Sequence, residues 1–226
     1  MYHPAFAFSA HKLKHVNETA LGLMHSYIEE TSTTSEALSS AREAAQEFGL
    51  AIPDGATGQL LSTLACATRA TNLVAASPAA DVIGLYLLDG AADNAVLSCI
   101  DPEPEHHKRA KTTLHQAGYS FSQIRSLPSR PLDVLGRLAN NAYQVIYADI
   151  APVEFRAFID AALPLLTSGG VLVLSDSLLD GTLADASRKD RDTVAARDTD
   201  EYLHTLDSAI VTRLPLGAGI TLITKR

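Results

Sequence analysis

From Thr71 onward, short apolar stretches alternate with longer stretches of helical pattern. The short stretches predict β-strands at residues 72–76, 95–100, 121–127, 143–148 and 171–174. The longer stretches predict helices at residues 81–88, 106–117, 132–139 and 153–166. The strand at 171–174 is apolar on both faces, which is typical of the centre of a parallel sheet. Alternation of this kind predicts a doubly wound α/β sheet with right-handed crossovers.

The N-terminal part of the chain precedes this alternation. Residues 1–16 show no clear hydrophobic periodicity, so we expect a loose arm there. Three helices are predicted at residues 17–30, 36–48 and 56–70. Ser35 is a typical N-cap for the second of these helices. Because the helices come before the first strand, we expect an N-terminal helical cap at residues 1–55, followed by an α/β domain at residues 56–226 within one structural unit.

The C-terminal part differs from the parallel pattern. A charged helix is predicted at residues 190–206, and two strands follow at 210–214 and 220–224. Since the link between these strands is short and Gly-rich, they should pair antiparallel. The whole pattern therefore predicts a mainly parallel seven-stranded sheet that ends in an antiparallel hairpin.

Composition and charge indicate which kinds of binding partner and which cellular location are expected. The chain has 226 residues, is 46% hydrophobic and carries a net charge of -8, which argues against nucleic acid or an anionic membrane as the main partner. No apolar run reaches membrane-spanning length, and the N-terminus lacks a signal-peptide pattern, so we expect a cytoplasmic protein. Cys66 and Cys99 are not spaced as metal ligands. His11 and His15 lie four residues apart and either bind a metal or remain solvated.

The first strand, turn, helix and second strand form a nucleotide-binding layout. The second strand ends on Asp101, and an acid at this position normally faces the ribose of a bound nucleoside. The turn in such a layout is usually Gly-rich, because the backbone approaches the ligand closely. Here Ser77, Ala79 and Asp81 stand where glycines are expected. The fold pattern is therefore clear, while the ligand-binding pattern is altered.

Several phrases of the sequence resemble one family. They are Gly-Leu-Tyr-Leu-Leu at 84–88, Leu-Ser-Cys-Ile-Asp-Pro-Glu-Pro-Glu-His at 97–106, Tyr-Gln-Val-Ile-Tyr-Ala-Asp at 143–149, the run Leu163 to Val173, and Leu-Pro-Leu-Gly-Ala-Gly at 214–219. Together they resemble the S-adenosylmethionine-dependent O-methyltransferases related to catechol O-methyltransferase, in particular the bacterial, actinobacterial-type members. The resemblance implies a Rossmann-like fold, an S-adenosylmethionine-type methyltransferase domain at 56–226 and methyl transfer to a hydroxyl of a small, phenolic molecule.

The resemblance also implies a cofactor site at the carboxyl ends of the strands. Its residues would be Thr57, Ser77, Ala79, Ile83, Asp101, Pro102, Arg130, Pro131 and Asp149. Asp101 would bind the ribose hydroxyls, while Arg130 and Pro131 would contact the adenine. Family members commonly pair through their helices, so a homodimer is expected.

Catalysis in the family implies a role for Asp149, either beneath the transferred methyl group or as a ligand of Mg²⁺ or another divalent cation together with Asp176. The family's Asp-Asn pair aligns with Ser175 and Asp176, and its frequent basic residue aligns with Pro152. Each acid also has a simpler interpretation: Asp101 caps the next helix, Asp149 binds loop amides, and Asp176 is solvated. A second hypothesis is therefore a catalytically silent binding or scaffold protein that keeps the methyltransferase fold.

Overall fold

The computed structural model describes the backbone of residues 10–226 and the side chains from Ala20 onward. The chain divides into two units, residues 1–33 and 34–226. In the first unit, helix α1 covers Ala10–Thr31, so the loose arm predicted for residues 1–16 is wrong from Ala10 onward. Residues 1–9 and the side chains of His11 and His15 lie outside the described residues. None of the described helices combines the length and the apolar character that crossing a membrane requires.

The second unit contains one seven-stranded sheet. Its strands are β1 Asn72–Ala76, β2 Val96–Asp101, β3 Ile124–Pro128, β4 Tyr143–Ala148, β5 Leu166–Leu174, β6 Ala209–Leu214 and β7 Ile220–Lys225. The strand order is β3-β2-β1-β4-β5-β7-β6. Only β7 runs against its neighbours, because it pairs antiparallel with both β5 and β6. The predicted mainly parallel sheet with a C-terminal antiparallel hairpin is confirmed.

Helices cover both faces of this sheet. They are α2 Glu36–Glu47, α3 Gly55–Ala67, α4 Ala80–Gly90, α5 Pro104–Gln116, α6 Pro131–Val134, α7 Phe155–Ala162 and α8 Arg191–Leu203. Alternate residues of β1 face opposite layers: Leu73 packs with the residues of α2 to α5, whereas Val74 packs with those of α7 and α8. The sheet is therefore buried on both sides, as its apolar strands predicted.

Several predicted boundaries need correction. The helix predicted at 132–139 is only α6, followed by a 3-10 turn at residues 135–137. The strand predicted at 121–127 begins only at Ile124, because residues 121–123 form a 3-10 turn that the capping box of Ser120 and Gln123 stabilises. The helix predicted at 153–166 is shorter, since Pro164 lies in a 3-10 turn after α7 and β5 already begins at Leu166. Residues 168–170 belong to β5, whose pairing with β4 is irregular at this point.

Helices α3 and α4 approach each other at two glycines. A Cβ at Gly90 would lie 1.9 Å from the Ser62 carbonyl oxygen, and one at Gly58 would lie 2.2 Å from the Tyr86 ring. The Ser62 hydroxyl also donates to the Tyr86 carbonyl oxygen at 2.7 Å. The contact between the two helices therefore depends on the absence of side chains at these positions.

Gly90→Ala should lower the free energy of unfolding by about 1–3 kcal/mol, because the backbone of α3 cannot move aside without disturbing the core. The matched control is Gly136→Ala, since nothing lies within 4 Å of a Cβ built there. Chemical denaturation of both variants measures the difference. Equal stability of the two variants would contradict the close approach of α3 and α4.

Candidate active site

The site lies at the carboxyl edge of the sheet, where the strand order reverses around β1. Ser77 follows β1, Asp101 ends β2, Asp149 follows β4 and Ser175 follows β5. Two backbone bonds beyond the strands keep this edge together: the Asp149 N–H donates to the Ala76 carbonyl, and the Ser175 N–H donates to the Ala148 carbonyl, both at 2.9 Å. In open α/β sheets a crevice at such a reversal is the usual ligand position.

The loop after β1 does not need glycine for its backbone conformation. None of the residues 77–80 has a positive φ, and Ala79 lies at φ −94° and ψ 38°. The Ser77 hydroxyl oxygen accepts the Ala79 N–H at 3.1 Å and donates to Asp149 Oδ2 at 3.3 Å. Ser77 thus fixes the loop and connects it to the acid that follows β4.

The negative charge that Asp81 brings to this loop is neutralised. The Asp81 side chain is fully buried, and Arg109 Nε donates to its Oδ2 at 2.6 Å. A second guanidinium nitrogen of Arg109 donates to the Pro78 carbonyl oxygen at 2.8 Å. The acid at the start of α4 therefore does not place a free charge against a ligand in the loop.

One carboxylate oxygen of Asp101 makes hydrogen bonds, and the other has no hydrogen-bond partner among the described residues. Its Oδ1 accepts the Glu103 N–H at 2.7 Å and lies 2.8 Å from His106 Nδ1. These bonds fix the approach to α5, but the N-cap of this helix is Glu103, so the interpretation of Asp101 as a helix cap is wrong. Its Oδ2 makes no hydrogen bond with any described residue, although the residue is only 6% exposed. The Asp101 carbonyl also accepts the Ser129 N–H at 3.1 Å, which brings residues 130 and 131 beside it.

The remaining cofactor positions differ in exposure. Pro102 is exposed, Pro131 is half-buried, and Ile83 is completely buried in the core beneath the loop. Arg130 is exposed and pairs with Glu154 at 2.9 Å.

A cavity of about 50 Å³ lies beside Asp149. It is lined by Ala51, Ile52, Pro53, Asp54, Thr57, Tyr147, Asp149, Ser175, Asp176, Leu216, Gly217 and Ile220. Three of the sequence-predicted site residues, Thr57, Asp149 and Asp176, are therefore brought together here. The tip of the β6–β7 hairpin closes the cavity, because the Gly217 N–H donates to Asp54 at 3.1 Å and the Ala218 N–H to Asp176 at 3.4 Å.

Acidic groups dominate the electrostatics of this cavity. Burial raises the pKa of the Asp149 carboxyl, the nearby Asp176 carboxylate raises it further, and the Ser77 hydrogen bond partly offsets both. Burial likewise raises the pKa of Tyr147, so its hydroxyl stays neutral at physiological pH. No basic side chain belongs to the lining. Asp149 therefore has the environment of a carboxylate that can accept a proton.

The donor set for the expected divalent cation is small. Within residues 20–226, no group of three or more His, Cys, Asp and Glu side chains is arranged to hold a metal ion. Asp149 and Asp176 share the cavity, but one oxygen of each already accepts a hydrogen bond, from Ser77 and from Ala218. Asp176 is half-buried rather than solvated.

Asp54, Tyr147, His106 and Arg109 were not predicted as site residues. The position of Asp54 could have been predicted from the sequence, since an Asp just before an apolar helix is a typical N-cap. Its Oδ1 does accept the Thr57 N–H at 2.7 Å. The contact between Arg109 and Asp81 could not have been predicted from the sequence, because 28 residues separate the two and only the packing of α5 on α4 joins them.

Known proteins share this sequence and this fold. The family model described as O-methyltransferase matches residues 58–226. A Mycolicibacterium vanbaalenii protein that carries an O-methyltransferase name is 34% identical over 183 residues, which cover 81% of each chain.

Solved structures of other proteins share the fold of this chain. The crystal structure of a Corynebacterium glutamicum protein is 54% identical, with a TM-score of 0.88, and the match covers 91% of this chain and 97% of that one. The O-methyltransferase TomG from Streptomyces achromogenes, solved in complex with SAM, shares the fold with a TM-score of 0.78 at 22% identity over 89% of this chain and 95% of TomG. The family model and the curated relative together show that this chain belongs to the O-methyltransferase family.

Proposed function

We propose that this chain transfers a methyl group from S-adenosylmethionine to a hydroxyl of a small, phenolic molecule. The observation that carries the proposal is the bond from Ser77 to Asp149, which joins the loop after β1 to an acid that lines the cavity. Loop, acid and cavity therefore form one continuous site. The helical cap at 1–55 and the methyltransferase domain at 56–226 belong to the same proposal, and the family match beginning at residue 58 supports it.

The cofactor would lie along the carboxyl edge between the loop and β2. Oδ2 of Asp101 is the acceptor available for a ribose hydroxyl. Helix α4 begins without a side-chain cap, so its first N–H groups suit the methionine carboxylate. Pro102, Arg130 and Pro131 would contact the adenine, while Thr57, Ala79 and Ile83 would support the methionine side. SAM bound to TomG, a protein of the same fold, is consistent with this assignment.

S-adenosylmethionine supplies an activated methyl group, so positioning of the acceptor hydroxyl does most of the work. Asp149 would accept the proton of that hydroxyl, and its raised pKa makes the carboxylate a better base. Tyr147 and Ser175 would orient the acceptor, while the apolar side chains of Ile52, Leu216 and Ile220 exclude water.

The divalent cation expected from the resemblance has little support in the side chains present. Mg²⁺ prefers six oxygen ligands in octahedral geometry, whereas Asp149 and Asp176 supply two partly engaged carboxylates. We therefore assign the proton transfer to Asp149 itself. Calorimetric titration with S-adenosylmethionine and methylation assays, each performed with Mg²⁺ and with EDTA, test this assignment directly. The dissociation constant and the methylation rate should be equal under both conditions.

We also propose that the protein is a cytoplasmic homodimer. Helix α1 exposes the apolar side chains Leu21, Met24 and Tyr27, which follow one another at three-residue spacing, and Leu23 is exposed as well. Apolar side chains at this spacing share one side of a helix. A second copy of the chain would remove them from water.

Calorimetric titration should show that the wild-type chain binds S-adenosylhomocysteine with a micromolar dissociation constant. Asp101→Asn should weaken this binding about tenfold to a hundredfold, because the amide loses the charged acceptor for the ribose. The variant keeps an oxygen that can accept the Glu103 N–H, so its fold is preserved. Asp207→Asn, at an exposed position, is the control. A wild-type chain that binds neither cofactor form would support the silent scaffold protein instead.

Asp149→Asn should raise the thermal midpoint at neutral pH and abolish methylation. The folded-state pKa of Asp149 lies above its ordinary value of 3.8, so its contribution to stability is present below that value and is lost as the pH rises through the folded pKa. The stability gain should therefore shrink on acidification. Methylation of catechols and phenols should fall about a hundredfold or more. Unchanged activity would exclude Asp149 as the base, and Asp207→Asn again serves as the control.

The double variant Leu21→Glu, Met24→Glu should convert a dimer into a monomer, because it places two charges on the apolar side of α1. Light scattering coupled to gel filtration measures the mass. Ile210→Glu, at another exposed apolar position, should remain dimeric. A monomeric wild-type chain, or a double variant that stays dimeric, would contradict the proposed interface.

A further inference from the structure

We infer that Arg109 is a positioning residue that holds the cofactor loop in its binding conformation. The inference rests on the proposed function, because it assigns the loop at residues 77–80 to S-adenosylmethionine. Arg109 does not belong to the cavity lining. It acts through Pro78 and Asp81.

The guanidinium of Arg109 bonds two different parts of the loop region. Nε donates to Asp81 Oδ2 at 2.6 Å, and one terminal nitrogen donates both to the Pro78 carbonyl at 2.8 Å and to Asp81 Oδ1 at 3.3 Å. Pro78 lies in the loop itself, whereas Asp81 lies in the first turn of α4. The side chain therefore fixes the angle between the loop and the helix that follows it.

The surroundings keep this side chain in place. The Arg109 side chain is only 13% exposed and Asp81 is completely buried. The ring of Phe48, at the end of α2, lies with its centroid 5.5 Å from the guanidinium carbon, within the range of a cation–π contact. In this shielded position a charged, forked hydrogen bond is stronger and more directional than at the surface.

Helix α5 links the two sides of the cofactor site. His106 and Arg109 are three residues apart and therefore share one side of α5. His106 contacts the Asp101 carboxylate, while Arg109 contacts the loop after β1. The ribose side and the methionine side of the site are thus set by one rigid helix.

A lysine could not replace this arrangement. Its single ammonium group could pair with Asp81, but it lacks the planar fork that reaches a carboxylate and a carbonyl at the same time. Arg109→Lys therefore retains the charge that the buried Asp81 requires, while it releases the loop carbonyl. This variant separates loop positioning from folding.

The experiment measures S-adenosylhomocysteine binding and hydrogen exchange of the loop amides in the wild-type chain and three variants. The dissociation constant of Arg109→Lys should rise about tenfold. The amides of residues 77–81 should exchange faster without ligand and regain protection when the ligand binds. Asp81→Asn, Arg109→Gln removes both buried charges, so it should fold and show the same weaker binding. Arg188→Lys, at an exposed ion pair, should bind like the wild type.

Wild-type affinity in both Arg109→Lys and the double variant would overturn the inference. Faster exchange across all strands of the sheet would also overturn it, because Arg109 would then only stabilise the fold. A wild-type chain that does not bind S-adenosylhomocysteine would contradict the proposed function, and the inference with it. The wild-type titration thus distinguishes failure of the function from failure of the loop inference alone.

Discussion

The parallel pairing of β1 with strands on both of its sides is the constraint on which the site depends. Ala76, the last residue of β1, is in register with Ile100 of β2 and with Ala148 of β4. Whatever follows these three positions must lie at one edge of the sheet, and the residues that follow are Ser77, Asp101 and Asp149. The hydrophobic alternation that buries both faces of β1 thus also determines where the polar groups meet, since a register shift of one residue would turn the apolar side chains out of the core.

Two of the three acids that line the cavity beside this edge accept hydrogen bonds from backbone N–H groups. Asp54 accepts N–H groups from Thr57 and Gly217, and Asp176 accepts one from Ala218. These two carboxylates therefore have defined structural partners. Asp149 accepts only a hydroxyl within the described residues, at 3.3 Å, and it is the acid whose pKa burial raises. Of the three acids, only Asp149 has a carboxylate that accepts no backbone N–H among the described residues, and this buried carboxylate is the one that we propose as the base.

Most of the sheet could be predicted from the sequence because its strands are locally apolar. The bounds of β1 and β4 agree with the predicted residues 72–76 and 143–148. Errors occurred where local side-chain bonds overrode the apolar pattern, as at Ser120 and Gln123, or where Pro164 interrupted a helical one. The acids after the strands could be placed because topology alone determines their position. Their partners could not, because contacts such as that between Arg109 and Asp81 depend on how two helices pack.

The altered loop shows that glycine serves two separate purposes in a nucleotide-binding turn. One is a positive φ, and the loop of this chain has none, so Ser77 and Ala79 cost no backbone strain. The other is close approach of the backbone to the ligand, which still limits the side chains to small ones, as Ser77 and Ala79 are. A side-chain hydroxyl and a buried guanidinium then hold the conformation from outside the ligand path. A missing glycine motif is therefore weak evidence that a chain of this family has lost its cofactor, whenever the loop backbone stays in the ordinary φ region.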